Sequence, residues 1–134
     1  AINTKFDSFS NIHIAGTNWS GGINLISSDV YTKDLSISNS TGEDAINFVD
    51  SKVISVGDFK FDNINEDALD GDSMEMVFGN IICKNVGNDF LDTSNSNIKG
   101  DTVVGFAVQD KLVSFGEGSN AHINSIECMS CGIG

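Results

Sequence analysis

The chain has 134 residues, of which 19 are Asp or Glu and seven are Lys, with no Arg, giving a formal net charge of −12. So acidic a surface excludes the Lys/Arg patches by which proteins hold nucleic acid or an anionic membrane face. Apolar residues make up 40%, enough for one core, and no run approaches the ~18 residues of a membrane span.

Taken in chain order, alternating apolar residues predict short strands with one buried face. Ile12/Ile14 and Ile23/Leu25 come first, then Leu35/Ile37 and Ile46/Phe48, then Phe59/Phe61 and Leu69. Ile81/Cys83 with Leu91, Thr102/Val104 with Leu112, and Ile126/Cys128 with Ile133 continue the series. A looser column, Phe6, Val30, Ile54, Met76, Ile98 and Ala121, comes earlier in each unit. An acidic motif opens the last strand of successive units: Glu43-Asp44-Ala45-Ile46, Glu66-Asp67-Ala68-Leu69, Asn88-Asp89-Phe90-Leu91 and, more weakly, Asp110-Lys111-Leu112. Its Asp residues lie 23, 22 and 21 positions apart, a period that marks a repeat architecture.

No window sustains a helical apolar face, and β-branched residues alternate with Asn, Gly and Ser. One constant period for three ladders predicts a coil in which each strand lies parallel on its counterpart one turn later. Such connections are right-handed almost without exception. The expected fold is therefore all-β: a single right-handed parallel β-helix, residues 1–134, of about six turns of about 22 residues with three short strands each. Asn39, Asn63 and Asn85 recur before the anchor Asp and predict a ladder of stacked amides. Cys83, Cys128 and Cys131 read as buried, inert thiols, since the lone Cys-x-x-Cys has neither a second pair nor a helix after it. The sequons Asn18-Trp19-Ser20 and Asn39-Ser40-Thr41 are too short to carry weight.

The combination of an alternating apolar pair, Asn and then Asp-Ala-Ile resembles the coil of the pectin-lyase-like superfamily, from about Phe6 to Ile133. That resemblance implies the parallel β-helix and leaves function open, because the fold hosts lyases, hydrolases, tailspikes, adhesins and inert stalks. Family members usually close the stack with terminal caps. Here the repeat runs from one end of the chain to the other, which suggests a piece of a longer solenoid or association through its ends.

Two acidic columns are the candidate site. Asp44, Asp67, Asp89 and Asp110 form one; Asn47, Asp70 and Asp92 form the other, with Asp72 beside it. Carboxylates on neighbouring turns reach the separations glycoside hydrolysis needs. Asn65-Glu66-Asp67 and Gly87-Asn88-Asp89 resemble the Asn-Thr-Asp and Gly-Asp-Asp elements of polygalacturonases, which implies Asp67 and Asp89 as the catalytic pair. The family's Gly-His-Gly and Arg-x-Lys elements have no counterpart, and Lys111 is the lone candidate for a lyase base. Asp67, Asp70 and Asp72 could offer oxygens to Ca²⁺. Phe90, taken outward by alternation from Leu91, would form a ligand face with Asp70 and Asp92. Alternatively, Asp simply accepts turn N–H groups and recurs for folding alone. The reading favoured is a non-catalytic extracellular or surface module that contacts polysaccharide or its own copies, without nucleic acid or membrane. The alternative is a polysaccharide-degrading hydrolase or lyase using Asp67 and Asp89.

Overall fold

The computed structural model describes residues 2, 4–9, 12–15 and 22–133, so Trp19 and the first sequon lie outside the described residues. Among these there are strands and no helices. The strands are β1 (Lys5–Phe9), β2 (Ile12–Ala15), β3 (Ile23–Ile26), β4 (Asp29–Thr32), β5 (Leu35–Ser40), β6 (Ile46–Val49) and β7 (Lys52–Ser55). There follow β8 (Asp58–Ile64), β9 (Leu69–Asp72), β10 (Glu75–Val86), β11 (Leu91–Ser94), β12 (Asn97–Lys111), β13 (Val113–Phe115) and β14 (Asn120–Ile133). Every pairing is parallel, and each strand pairs with its counterpart one turn away.

The result is the expected β-solenoid, of about five turns about 23 residues apart. Three walls enclose the core. The first wall stacks β1, β4, β7 and the leading halves of β10, β12 and β14; the second stacks β2, β5, β8 and the trailing halves of the same three. The third wall stacks β3, β6, β9, β11 and β13. Three short strands per turn hold in the early coils, whereas later coils run through the first corner as one long strand.

Two columns of left-handed residues turn the chain. Asn39, Asn63, Asn85, Ala107 and Ser130, at φ between 54° and 64°, bend it between second and third walls. Ser27, Asp50, Ser73, Asn95 and Gly118, at φ between 48° and 74°, bend it between third and first. Short polar residues tolerate this conformation because their side chains can bond locally. Here they bond along the stack: Asn63 Nδ2 donates to Asn39 Oδ1 at 2.8 Å and Asn95 Nδ2 to Ser73 Oγ at 2.9 Å. The amide ladder therefore forms for its first pair, and Ala107 and Ser130 take its later rungs. Buried serines stitch the third corner, with Ser28 N–H donating to Ser51 Oγ and Met74 N–H to Ser96 Oγ.

The registers correct three apolar columns by one residue, the third-wall column continuing from Leu91 to Val113 rather than to Leu112. Val53, not Ile54, continues Val30 and Met76 inward, and Val103 and Gly105, not Thr102 and Val104, continue Ile81 and Cys83. A one-residue slip moves a side chain to the opposite face, so the latter two corrections reverse which residues meet solvent. Inside, bulk is traded between the second wall and the next corner. Phe61 precedes the small Ala68, Cys83 precedes Phe90, and Gly105 precedes Leu112. A Cβ on Gly105 would lie 2.2 Å from Leu112 Cδ1, so glycine leaves the space that leucine fills. Phe48, Phe59, Phe61 and Phe90 are all fully buried, and each stabilises by roughly 1.5–3 kcal/mol relative to exposure.

The cysteines also differ from expectation. Cys83 is a buried free thiol, pushed up to about 12 by burial, but Cys128 and Cys131 form a disulfide. These two occupy the inward columns of Gly105 and Val108 on either side of the Ser130 bend, so a cross-link fits where two apolar side chains would otherwise meet.

Candidate functional site

The anchor Asp residues stand at the corner that leads into the third wall. Backbone bonds from Ala45 N–H to the Asp67 carbonyl, Ala68 to Asp89 and Phe90 to Lys111 fix the stack as Asp44, Asp67, Asp89, Lys111. Asp110 is therefore not the fourth member. Its 21-residue spacing, against 22 and 23 elsewhere, was the sign that it falls one position short. A lysine completes the acidic column.

The column residue's own N–H faces along the axis rather than into the strand ladder. Asp89 N–H donates to Asp67 Oδ1 at 2.8 Å, and Lys111 N–H to Asp89 Oδ1 at 2.9 Å. A carboxylate one coil below satisfies an otherwise orphaned donor, which gives Asp a folding reason to recur. Lys111 Nζ then folds back on both Asp89 oxygens, at 3.1 and 3.0 Å, and on Asp110 Oδ2 at 2.6 Å. Those bonds hold the Lys111 ammonium above the usual lysine range, Asp110 contributing most. The Asp89 carboxylate, 6% exposed, is enclosed by donors. Asp67 is half-buried and sits above the usual range because burial outweighs the Asp89 N–H bond.

Phe90 is not on a ligand face. It is fully buried, in an edge-to-face contact with Phe61 at 5.7 Å between ring centroids. Strict alternation fails there because a corner sets two successive residues inward, as Ala45-Ile46 and Ala68-Leu69 already do. The small Ala45 and Ala68 at the equivalent place were the available signal.

The third wall turns two rows outward. Asn24, Asn47, Asp70, Asp92 and Ser114 share one register, and Ile26, Val49, Asp72 and Ser94 the other. Asp70 and Asp92 thus stand side by side on neighbouring strands about 4.8 Å apart. Asp72 lies on the same face and accepts a bond from Ser94 Oγ. Asp67 belongs to the corner instead. Among the described residues, no three His, Cys, Asp or Glu side chains are grouped so as to hold a metal ion. Asn47 Oδ1 is buried without a hydrogen-bond partner among them, and a protonated Asp70 on the adjacent rung has the donor it lacks.

Asp44 and Asp70 are each pushed up to about 6 from 3.8. Burial is the main cause, followed by repulsion from Asp67 and Glu43 for Asp44, and from Asp44 and Asp72 for Asp70. Folding therefore disfavours their ionised forms. The penalty is absent below about pH 4, grows as pH rises through 6, and is complete above it. Asp58, held below the usual range by the Asn80 amide and Lys60, works in the opposite sense at lower pH. The stability contributed by the acidic wall should fall between pH 4.5 and 7.5 by about 1 kcal/mol per group after solvent screening. Thermal melts of wild type and Asp70→Asn at both pH values check this: the variant's slope should be shallower and its melting temperature at pH 7.5 higher. No protein-family model, curated protein or solved structure matches the chain.

Proposed function

We propose that the chain is a non-catalytic module of an extracellular or cell-surface protein, of the pectin-lyase-like kind, whose third wall contacts a polysaccharide. The observation that carries this reading is the occupation of the two candidate catalytic carboxylates: Asp67 by the Asp89 N–H, and Asp89 by the Lys111 N–H and ammonium. A general acid and base must be free to exchange protons with substrate; both Asp89 oxygens are held by Lys111, and Asp67 gives Oδ1 to the Asp89 N–H, which supports a folding role for the pair. The Asn24, Asn47, Asp70, Asp92, Ser114 row instead offers acceptors and amides at regular strand spacing, suited to the hydroxyls of a neutral glycan. The Cys128–Cys131 disulfide supports an oxidising compartment.

One observation favours a second reading. Asp70, at about 6 and one strand from Asp92, resembles the acid of a carboxylate pair poised near neutral pH. Affinity gel electrophoresis against soluble xylan, β-glucan and galactomannan separates the two, with reducing ends and unsaturated products assayed in parallel. The module reading expects retardation by at least one glycan, lost in the Asp70→Ala/Asp92→Ala double variant. It expects no product, in excess CaCl₂ and in EDTA alike. Reducing ends that vanish in Asp70→Asn would establish a hydrolase instead, and release that depends on Ca²⁺ would return Asp70 and Asp72 to a metal-binding role. Absence of retardation by every glycan would count against the module.

A further inference from the structure

The first wall carries the opposite character to the third. Among the described side chains its outward row runs Tyr31, Ile54, Val77, Lys99 and His122, one residue per coil, without a carboxylate. The parallel row beside it ends in two amides, Asn97 and Asn120, after Lys52 and Glu75 have paired with each other at 3.6 Å. Between these rows lies an open groove of about 310 Å³, and a second depression of about 190 Å³ continues it on the far side of Lys99. Asp101, at the edge of that depression, has its carboxylate bound by the Asn124 amide at 2.9 Å. Among the described residues, neither Lys99 nor His122 has a hydrogen-bond or ion-pair partner. In a chain of net charge −12 with 19 carboxylates, two adjacent basic side chains in a groove whose one lining acid, Glu75, is paired with Lys52 form a local exception.

From this placement we infer that the first-wall groove is a binding site for a sulfated glycan. The Lys99 ammonium and the Asn97 amide are separate point donors that approach from different directions, and the Asn120 amide steadies Asn97 by donating to its Oδ1 at 3.4 Å. They suit a tetrahedral oxyanion with several acceptor oxygens; a planar carboxylate is better matched by the guanidinium fork, which this sequence lacks altogether. A singly charged sulfate ester also meets less long-range repulsion from the acidic molecule than a doubly charged phosphate would. The apolar run from Tyr31 to Val77, with Tyr31 36% and Val77 44% exposed, continues the row along the axis beyond the groove. There the C–H faces of successive sugars can lie at strand spacing, about 4.8 Å per rung. This site is separate from the third-wall face and does not depend on it.

Affinity electrophoresis with dextran sulfate and with unsubstituted dextran tests the assignment. The wild-type chain should be retarded by dextran sulfate and not by dextran, and Lys99→Gln should weaken binding about tenfold, the effect of losing one charge-assisted bond. His122→Gln should weaken it as well. Lys60→Gln, which removes an exposed lysine on the second wall that pairs with Asp58, should bind as the wild type does. Retention should also survive in Asp70→Ala/Asp92→Ala, which distinguishes failure of this site from failure of the third-wall reading. Equal retardation by both dextrans, a Lys60→Gln effect as large as that of Lys99→Gln, or no retardation at all would overturn the inference.

Discussion

Replacing Phe90 by Ala should lower stability by about 3–5 kcal/mol, the usual cost of emptying a buried aromatic site. For a chain of this size, that is a melting-temperature drop of roughly 10–20 °C. The side chain is wholly enclosed and meets Phe61 edge-to-face, a geometry that adds to its burial. The cavity would open beside Cys83, a small residue in the column where its predecessor is Phe61, so the neighbours have little bulk with which to collapse into it. Phe90→Leu should retain most of the stability, because Leu112 fills the same corner one coil later. Thermal and urea melts measure both variants. An outward Phe90 would make Phe90→Ala almost neutral, so the experiment also tests the corrected register.

The second large effect belongs to Asp89. Its two oxygens accept from the Lys111 ammonium, and Oδ1 also from the Lys111 N–H, while only 4% of the residue is exposed. Asp89→Ala leaves a corner N–H without its partner and removes a charge-assisted bond, and about 2–3 kcal/mol of stability should go with it. Lys111→Met should also destabilise, but less, because the Asp89 carboxylate keeps its backbone donor and the lysine itself is partly exposed. Combining the two should cost less than the separate losses together, since after the first substitution the second has no ion pair left to break. Urea melts of the two single variants and the double variant complete the cycle. Strict additivity would mean that the pair is not coupled.

How far the sequence revealed this molecule depended on whether a feature was set by period or by corner geometry. Val30, Leu35, Ile46 and Leu69 announce their inward faces by alternation, and the recurrence of Asp44, Asp67 and Asp89 reveals the coil. Alternation fails at bends, where a left-handed residue or a corner sets two neighbours inward. Phe90 was lost in this way, whereas Val53 and Val103 lie in strands that do alternate, and an apolar neighbour on the outward face, Ile54 or Val104, made the phase ambiguous. The shortened spacing at Asp110 hid the fact that Lys111 completes the acidic column. The Cys128–Cys131 bond depends on two inward columns meeting across the Ser130 bend, which a spacing of three residues does not reveal. The first-wall groove was equally hidden: Lys99 and His122 lie 23 residues apart and become neighbours only through the register.

Asp67 and Asp89 serve the fold, each holding the N–H of the next coil, and amide hydrogen exchange at Asp89 and Lys111 measures this most directly. In the wild type both amides should be protected. Asp89→Ala should speed exchange of the Lys111 amide by about 10- to 100-fold, the equivalent of one hydrogen bond to a charged group. Asp67→Ala should do the same to the Asp89 amide, while the strand amides of Phe48 and Leu69 keep their protection. Unchanged protection at Lys111 in Asp89→Ala would contradict the claim and free both carboxylates for chemistry.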